Sequence, residues 1–350
     1  MTQSVTQSVR GYAKLQMFGL SWFSLDSASP NSPRSARAST ARLPLYPLPT
    51  VYLPGGTCEL RNIEPRNRAM CCEHDEFVAS LVAPDGDKCA RIGAVLRVDD
   101  VSAAKRDSSG RVLVAQATTN VLHVRCTIVG RAEIISCANL DDWRSPDRDR
   151  YLMVDVANYD DEADAAGAAG DDDEGNVLTA EAPEALYGLV DALLEDSAAD
   201  GIDAGGRSAA VETLEQAADL AEGGKWWEAL ELWQRHCATR RAAHWAQHRA
   251  DRDEFLVDAK IRQGGALQLP VREATLPEAD RASLADLDRR AEDAAVQMGL
   301  DDNEGFQACL QSRGPAQRAR LLRDGARREA DRLRRRALLA RSFKSFDSSF

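Results

Sequence analysis

Two histidines four residues apart, His244 and His248, share one face of any helix that carries them, which is the spacing of a helical zinc site. The residues between them are Trp245-Ala246-Gln247, so the glutamate that a zinc protease uses as general base is missing. His236 and Cys237 lie just upstream and fall on no coordinating geometry, so packing or solvent-facing roles are the expectation for these histidines. Eight cysteines are present, Cys58, Cys71, Cys72, Cys89, Cys126, Cys137, Cys237 and Cys309. None forms a C-x-x-C pair, and no compact disulfide framework or RING-type spacing appears, so buried reduced thiols are expected. Cys71-Cys72 is the pair with redox potential. Gly224-Lys225 is followed by Trp226 where a phosphate loop needs Ser or Thr, and no G-x-S-x-G nucleophile elbow occurs.

Two runs of charge bracket the second half. Residues 160–177, DDEADAAGAAGDDDEGNV, are acidic and Ala/Gly-rich, without the alternating spacing of a calcium loop, and have little apolar surface to bury. The C-terminal stretch carries Arg313, Arg318, Arg320, Arg323, Arg327, Arg328, Arg332, Arg334, Arg335, Arg336 and Arg341 against Asp324, Glu329 and Asp331. Such a stripe can neutralise RNA phosphates. Leu321, Leu322, Leu333, Leu338 and Leu339 instead predict one face packed on a bundle, with the arginines answering acidic surface, for which the 160–174 segment is available. A net charge of −12 over 350 residues argues against a general nucleic-acid binder.

The elements that would position these groups fall into two classes. Residues 43–159 read as short apolar strands separated by turns. Leu43, Leu45 and Leu48 alternate with Pro44, Pro47 and Pro49, which predicts a sheet-edge or extended entry strand, since proline has no amide to give a ladder. Val51 and Leu53 continue the period of two, and Pro54-Gly55-Gly56 is a turn. Pro65 suits the first turn of a helix, Glu64 beside it suits the helix dipole, and Arg66 and Arg68 are placed to pair with Glu64 or with carboxylates across the sheet. Phe77 to Val82, Ile92 to Val101, Val112 to Val114, Val121 to Val129, Ile134-Ile135 and Tyr151 to Val156 are further strands, with turns at Pro84–Asp87 and Ser108–Gly110. This pattern predicts a small barrel or sandwich. Residues 178–342 have helical periodicity: Leu186, Leu189, Val190, Leu193 and Leu194, then Leu214, Ala218 and Ala221 up to Gly223-Gly224, then Trp226, Leu230 and Trp233. Residues 1–42 are basic, Ser-rich and almost free of acids, the composition of an organelle transit peptide.

The segment LPLYPLPTVYLPGG (43–56) followed by EPRNRAM (64–70) resembles the start of the Lon N-terminal, or Lon substrate-binding, domain. IGAVLRVDDV, SGRVLV and YLMVDVANYDDE resemble later strands of the same family, and FQACLQSRGPAQRARLL (306–322) resembles its late helices. Glu59, Ile63 and Asn67 stand where the family carries Pro, an aromatic and Tyr. Thr118 and Val121-Leu122 replace a Gly and an Arg-aromatic pair.

The resemblance implies an α+β fold, a PUA-like β-barrel or β-rich domain (43–159) followed by a C-terminal α-helical bundle (178–342). A transit segment (1–42), an acidic linker (160–177) and a tail (343–350) complete the expected organisation. It further implies a non-catalytic protein-binding module without the ATPase and protease of Lon, an adaptor in protein quality control, with RNA binding through the arginine helix as the alternative. No catalytic, cofactor-binding or metal residue is expected, and the protein-binding residues are not assigned. Expected partners are protein clients or a protease, with neither membrane nor cofactor, and nucleic acid only under the alternative. The expected compartment is the plastid, with mitochondrion or cytoplasm as alternatives.

Overall fold

Strand β2 (Ala41–Leu48) and the strands it joins organise the first half of the chain. The computed structural model describes residues 20–24, 41–83, 88–102, 104–106, 112–114, 121–139, 151–159, 173–200, 208–263, 271, 273–299 and 303–347. The turns expected at Pro84–Asp87 and Ser108–Gly110, nearly all of the transit segment, and residues 160–172 of the acidic linker lie outside them. The protein is α+β, with a mixed six-stranded sheet and seven α-helices among the described residues.

The strands are β1 (Trp22–Ser24), β2, β3 (Thr57–Asn62), β4 (Glu76–Leu81), β5 (Lys88–Ala90), β6 (Ile92–Ser102), β7 (Ala104–Arg106), β8 (Val112–Val114), β9 (Leu122–Cys137) and β10 (Leu152–Asn158). The main sheet runs β10-β2-β4-β6-β9-β3, and β10 also pairs with β9, so five strands close a ring and β3 hangs outside it on β9. Strand β9 spans both of the apolar segments expected to be separate strands. It is long because it serves three neighbours, β6, β10 and β3. Helix α1 (Pro65–Glu73) follows β3, with Pro65 in its first turn.

β2 is not the edge strand its prolines predict. It pairs antiparallel with β10 over residues 41–45 and parallel with β4 over residues 45–48. The two pairings are staggered. Pro44 precedes the β4 ladder and Pro47 follows the end of the β10 ladder, so an inner strand carries both prolines at the hand-over between partners. Val51 and Leu53 are buried but lie outside any strand. The turn that follows takes the ladder's place: Gly56 N–H donates to Leu53 O, and Gly55 adopts a φ of 86°, which suits glycine.

Apolar residues from across the ring share one core: Leu45, Val78, Ala132, Ile134, Leu152, Val154 and Val156, with Phe23 and Cys89 from the β1–β5 ribbon. β4 is buried on both faces, and Phe77 packs against the Tyr46 ring on the side opposite Val78. The helices are α2 (Asp173–Asp200), α3 (Ala209–Glu222), α4 (Trp226–Arg262), α5 (Glu278–Gln297), α6 (Asn303–Gln311) and α7 (Pro315–Asp347).

The chain forms two compact units. One joins residues 1–177 with 226–228 and 303–321, and the other holds 178–225, 229–302 and 322–350. Helix α6 therefore belongs with the strands: Gln307 Nε2 donates to Ile92 O at 2.8 Å and Asn303 Nδ2 to Pro49 O at 3.0 Å. Phe306, Gln307 and Leu310 are buried. No helix among the described residues is long and apolar enough to cross a membrane.

Candidate binding surface of the β unit

Strand β3 has one sheet partner among the described residues, β9, which leaves its other edge without a ladder. Its residues alternate, with Thr57, Glu59 and Arg61 exposed and Leu60 and Asn62 buried. The outward positions of β3, β9 and β6 form a run of polar pairs. Glu59 Oε1 is 3.0 Å from His123 Nδ1, Arg125 lies 3.4 Å from Asp100, and Thr127 Oγ1 donates to Asp99 at 2.5 Å. Directly after the strand, Ile63 is 64% exposed, although it stands between buried Asn62 and the α1 N-terminus.

A buried polar string fixes that end of β3. The Tyr46 hydroxyl donates to Asn62 Oδ1 at 2.6 Å, and Asn62 Nδ2 donates to the Cys71 sulfur at 3.3 Å. One asparagine with no exposed surface thus ties β2, β3 and α1 together. Burial pushes the Tyr46 phenol up to about 12 and the Cys71 thiol up to about 12, so both stay protonated and keep their hydrogen-bonding roles. Glu64 caps α1 without a side-chain bond to a backbone amide of its first turn. Its carboxylate instead accepts from Arg66 Nε at 2.8 Å, one of the pairings expected, while Arg68 reaches Glu64 through its backbone amide. At the other end of α1, the Tyr151 hydroxyl donates to Glu73 at 2.6 Å and sits 2.8 Å from His74 Nε2, locking the helix to the start of β10.

A second constellation in this unit is built on Arg131 of β9, which is 4% exposed. Its Nη1 donates to the carbonyls of Leu310 and Ser312 at 2.7 and 2.6 Å, meeting the C-terminal end of α6. Its guanidinium lies 4.9 Å from the Tyr159 ring and 5.1 Å from the Trp227 ring. Arg313 stacks on Tyr159 and Arg318 on Trp227, at 5.2 and 4.5 Å, so cations and rings alternate. Two carbonyls and two ring faces satisfy Arg131, which gives it the role of a clamp holding α6 on the sheet. The signal for it in the sequence is thin: a lone Arg in a strand, with partners 28 to 181 residues away.

In the helical unit the two histidines with zinc-like spacing, His244 and His248, take packing roles. His244 Nε2 lies 3.0 Å from Ala291 O and His248 Nε2 lies 3.0 Å from Asp288 Oδ1, so both turn towards α5 and brace two helices. No group of three or more His, Cys, Asp or Glu among the described residues is placed to hold a metal ion. His236 is buried and stacks on Trp233, and Arg240 and Arg332 both bond to buried Glu329 at 2.9 and 2.7 Å.

Several arginines of α7 find acids on α2, while residues 160–172 of the acidic segment expected to answer them lie outside the described residues. Arg323 and Arg327 share Glu181 at 2.9 and 3.1 Å, and Arg336 reaches Asp196 at 3.0 Å. All eight cysteines are free thiols. Cys71 is buried and Cys72 half-buried, and burial raises both thiols and outweighs the Arg68 cation beside Cys72, so the adjacent pair that stands out in the sequence is not activated.

No family model matches the chain, and no curated protein does. Among solved structures it is similar to the Lon N-terminal domain protein from Xanthomonas campestris, at 24% identity and a TM-score of 0.23, over 34% of this chain and 59% of that one. It is also similar to the N-terminal domain of the Mycobacterium avium complex Lon protease, at 18% identity and a TM-score of 0.30, over 56% of this chain and 94% of that one. The match to the Xanthomonas protein thus spans about three-fifths of that protein's length. Both of these structures are Lon N-terminal domains, the family that the segments 43–56 and 64–70 resemble.

Proposed function

We propose that the chain is a protein-binding module of the Lon N-terminal type, with a PUA-like β unit, that takes an extended segment of a non-native client as an added strand on β3. The observation that carries this reading is the one-sided pairing of β3, beside an isoleucine that is 64% exposed where a strand ends. An edge of this kind supplies main-chain hydrogen bonds to any sequence, while flanking apolar and charged positions select among segments. Ile63 offers the apolar anchor, and the Glu59, Arg61 and Arg125 side chains offer a polar rim. An adaptor role in protein quality control follows if clients held in this way are passed to a separate protease.

The test uses the full purified chain and a panel of labelled extended peptides with alternating apolar residues, read by fluorescence anisotropy. Ile63→Asp is expected to weaken peptide binding by about tenfold and to leave stability within about 0.5 kcal/mol, because the side chain is mostly in solvent. Unchanged peptide affinity in the variant removes the β3 reading. Tight binding to mixed single-stranded RNA, steeply lost with salt, replaces it with the nucleic-acid alternative.

A further inference from the structure

Cys58 of β3 and Cys126 of β9 are direct partners in the antiparallel ladder. Their side chains therefore leave the sheet on the same face, the inner one, on which Leu60, Asn62, Leu122 and Val124 are also buried. Directly opposed residues in such a ladder have Cα atoms about 4.5–5.5 Å apart, inside the roughly 4.4–6.8 Å range that a disulfide spans. That spacing suits a bond between the sulfurs, and the two thiols are near enough to perturb each other's protonation. Cys126 is fully buried, whereas Cys58 is half-buried and reachable from solvent.

We propose that Cys58 and Cys126 are a thiol–disulfide pair, oxidised by exchange with a low-molecular-weight disulfide of the glutathione class to a bond that staples β3 to β9. The order of events follows from access. The Cys58 thiolate attacks one sulfur of oxidised glutathione, displacing the other half as a thiolate that takes up a proton. The Cys126 thiolate then attacks the Cys58 sulfur of the mixed disulfide and releases the second glutathione, which is protonated in turn. Two protein thiols are oxidised, one disulfide is reduced to two thiols, and both protons end on glutathione. The hydrogen bond from Cys126 holds the Cys58 thiol below its ordinary value, while that same contact and burial hold Cys126 above it. The accessible sulfur is thereby the better first nucleophile and the buried one the resolving group. The bond would act on the strand that has a single sheet partner among the described residues, and it does not depend on what that strand binds.

Cys71 sits near both sulfurs and is the competing partner. The experiment takes the full reduced chain, adds oxidised glutathione, quenches by alkylation in denaturant, and maps the cysteines by mass spectrometry without reduction. The expected product is one linked peptide pair containing Cys58 and Cys126, lighter by two hydrogens and free of glutathione. Cys126→Ser is expected to trap glutathione on Cys58, and Cys58→Ser to leave Cys126 unmodified. The unsubstituted chain decides the question by itself if a variant fails to fold. Glutathione persisting on Cys58 in that chain, a dominant bond to Cys71 or Cys72, or full alkylation of both sulfurs would each overturn the proposal.

Discussion

His236 is 4% exposed, stacked on Trp233, and faces the guanidinium groups of Arg240 and Arg332. Burial first, then those two cations, push it down from 6.5 to about 4. Between these values the unfolded chain holds a proton on His236 that the folded chain does not. Stability therefore falls as pH drops through 6.5 and stops falling on this account below about 4. The full effect is on the order of 3 kcal/mol. Urea melts at about pH 7 and about pH 5 should show the loss, and His236→Phe should flatten it. A slope unchanged by that substitution would assign the acid sensitivity to other groups. At this scale the sequence is a poor guide. His244 and His248 stand out because their spacing matches a known site, yet each bonds to α5. His236, with no motif around it, has Arg240 one turn on in its own helix and meets Arg332 only when α7 packs beside α4. Cys58 and Cys126 are likewise unremarkable until strand register sets them opposite each other.

Elements were far more legible, because their signals are local. Pro65 at a helix start, the Gly223-Gly224 helix end and the apolar run of residues 92–101 all rest on local signals that need no distant partner. The prolines of β2 misdirect for the same reason. Their missing amides exclude a continuous ladder on both sides, and the fold answers with two half-ladders rather than an exposed edge. Strand β6 supplies a prediction of this kind. A Cβ on Gly93 would stand 2.4 Å from Val78 Cγ1 and 2.8 Å from the Ala79 carbonyl oxygen of β4. Because one of those atoms is backbone, the strands must part to admit it. Gly93→Ala is expected to cost about 1–3 kcal/mol or more, seen as a lowered urea midpoint with an unchanged slope. A midpoint equal to that of the unsubstituted chain would mean that β4 and β6 are held more loosely than this packing implies.

On the scale of the whole chain, the division of residues between units is what no local pattern reveals. Residues 303–321 look like one more pair of helices, with the same periodicity as their neighbours, yet they complete the β unit. Arg131, Gln307 and Tyr159 make the long-range bonds that recruit them, and single polar residues of this kind carry no periodic signature. A fragment ending at residue 177 retains every strand but lacks α6 and the carbonyls that Arg131 holds. Such a fragment is expected to bind an apolar dye and to lack a cooperative melt, while joining residues 303–321 to it through a flexible linker should restore the transition. A cooperative melt from the short fragment would show that α6 is dispensable for the strands.

The Gln307–Ile92 bond joins residues 215 apart in the chain. A ribosome adding about 5–20 residues per second needs on the order of ten to forty seconds to cover that distance. Throughout that interval the seat of α6 on β6 has been synthesised and its occupant has not. The nascent β unit is therefore itself a non-native client for as long as its last helix is still being made, and its yield in a cell depends on what shelters that seat during translation.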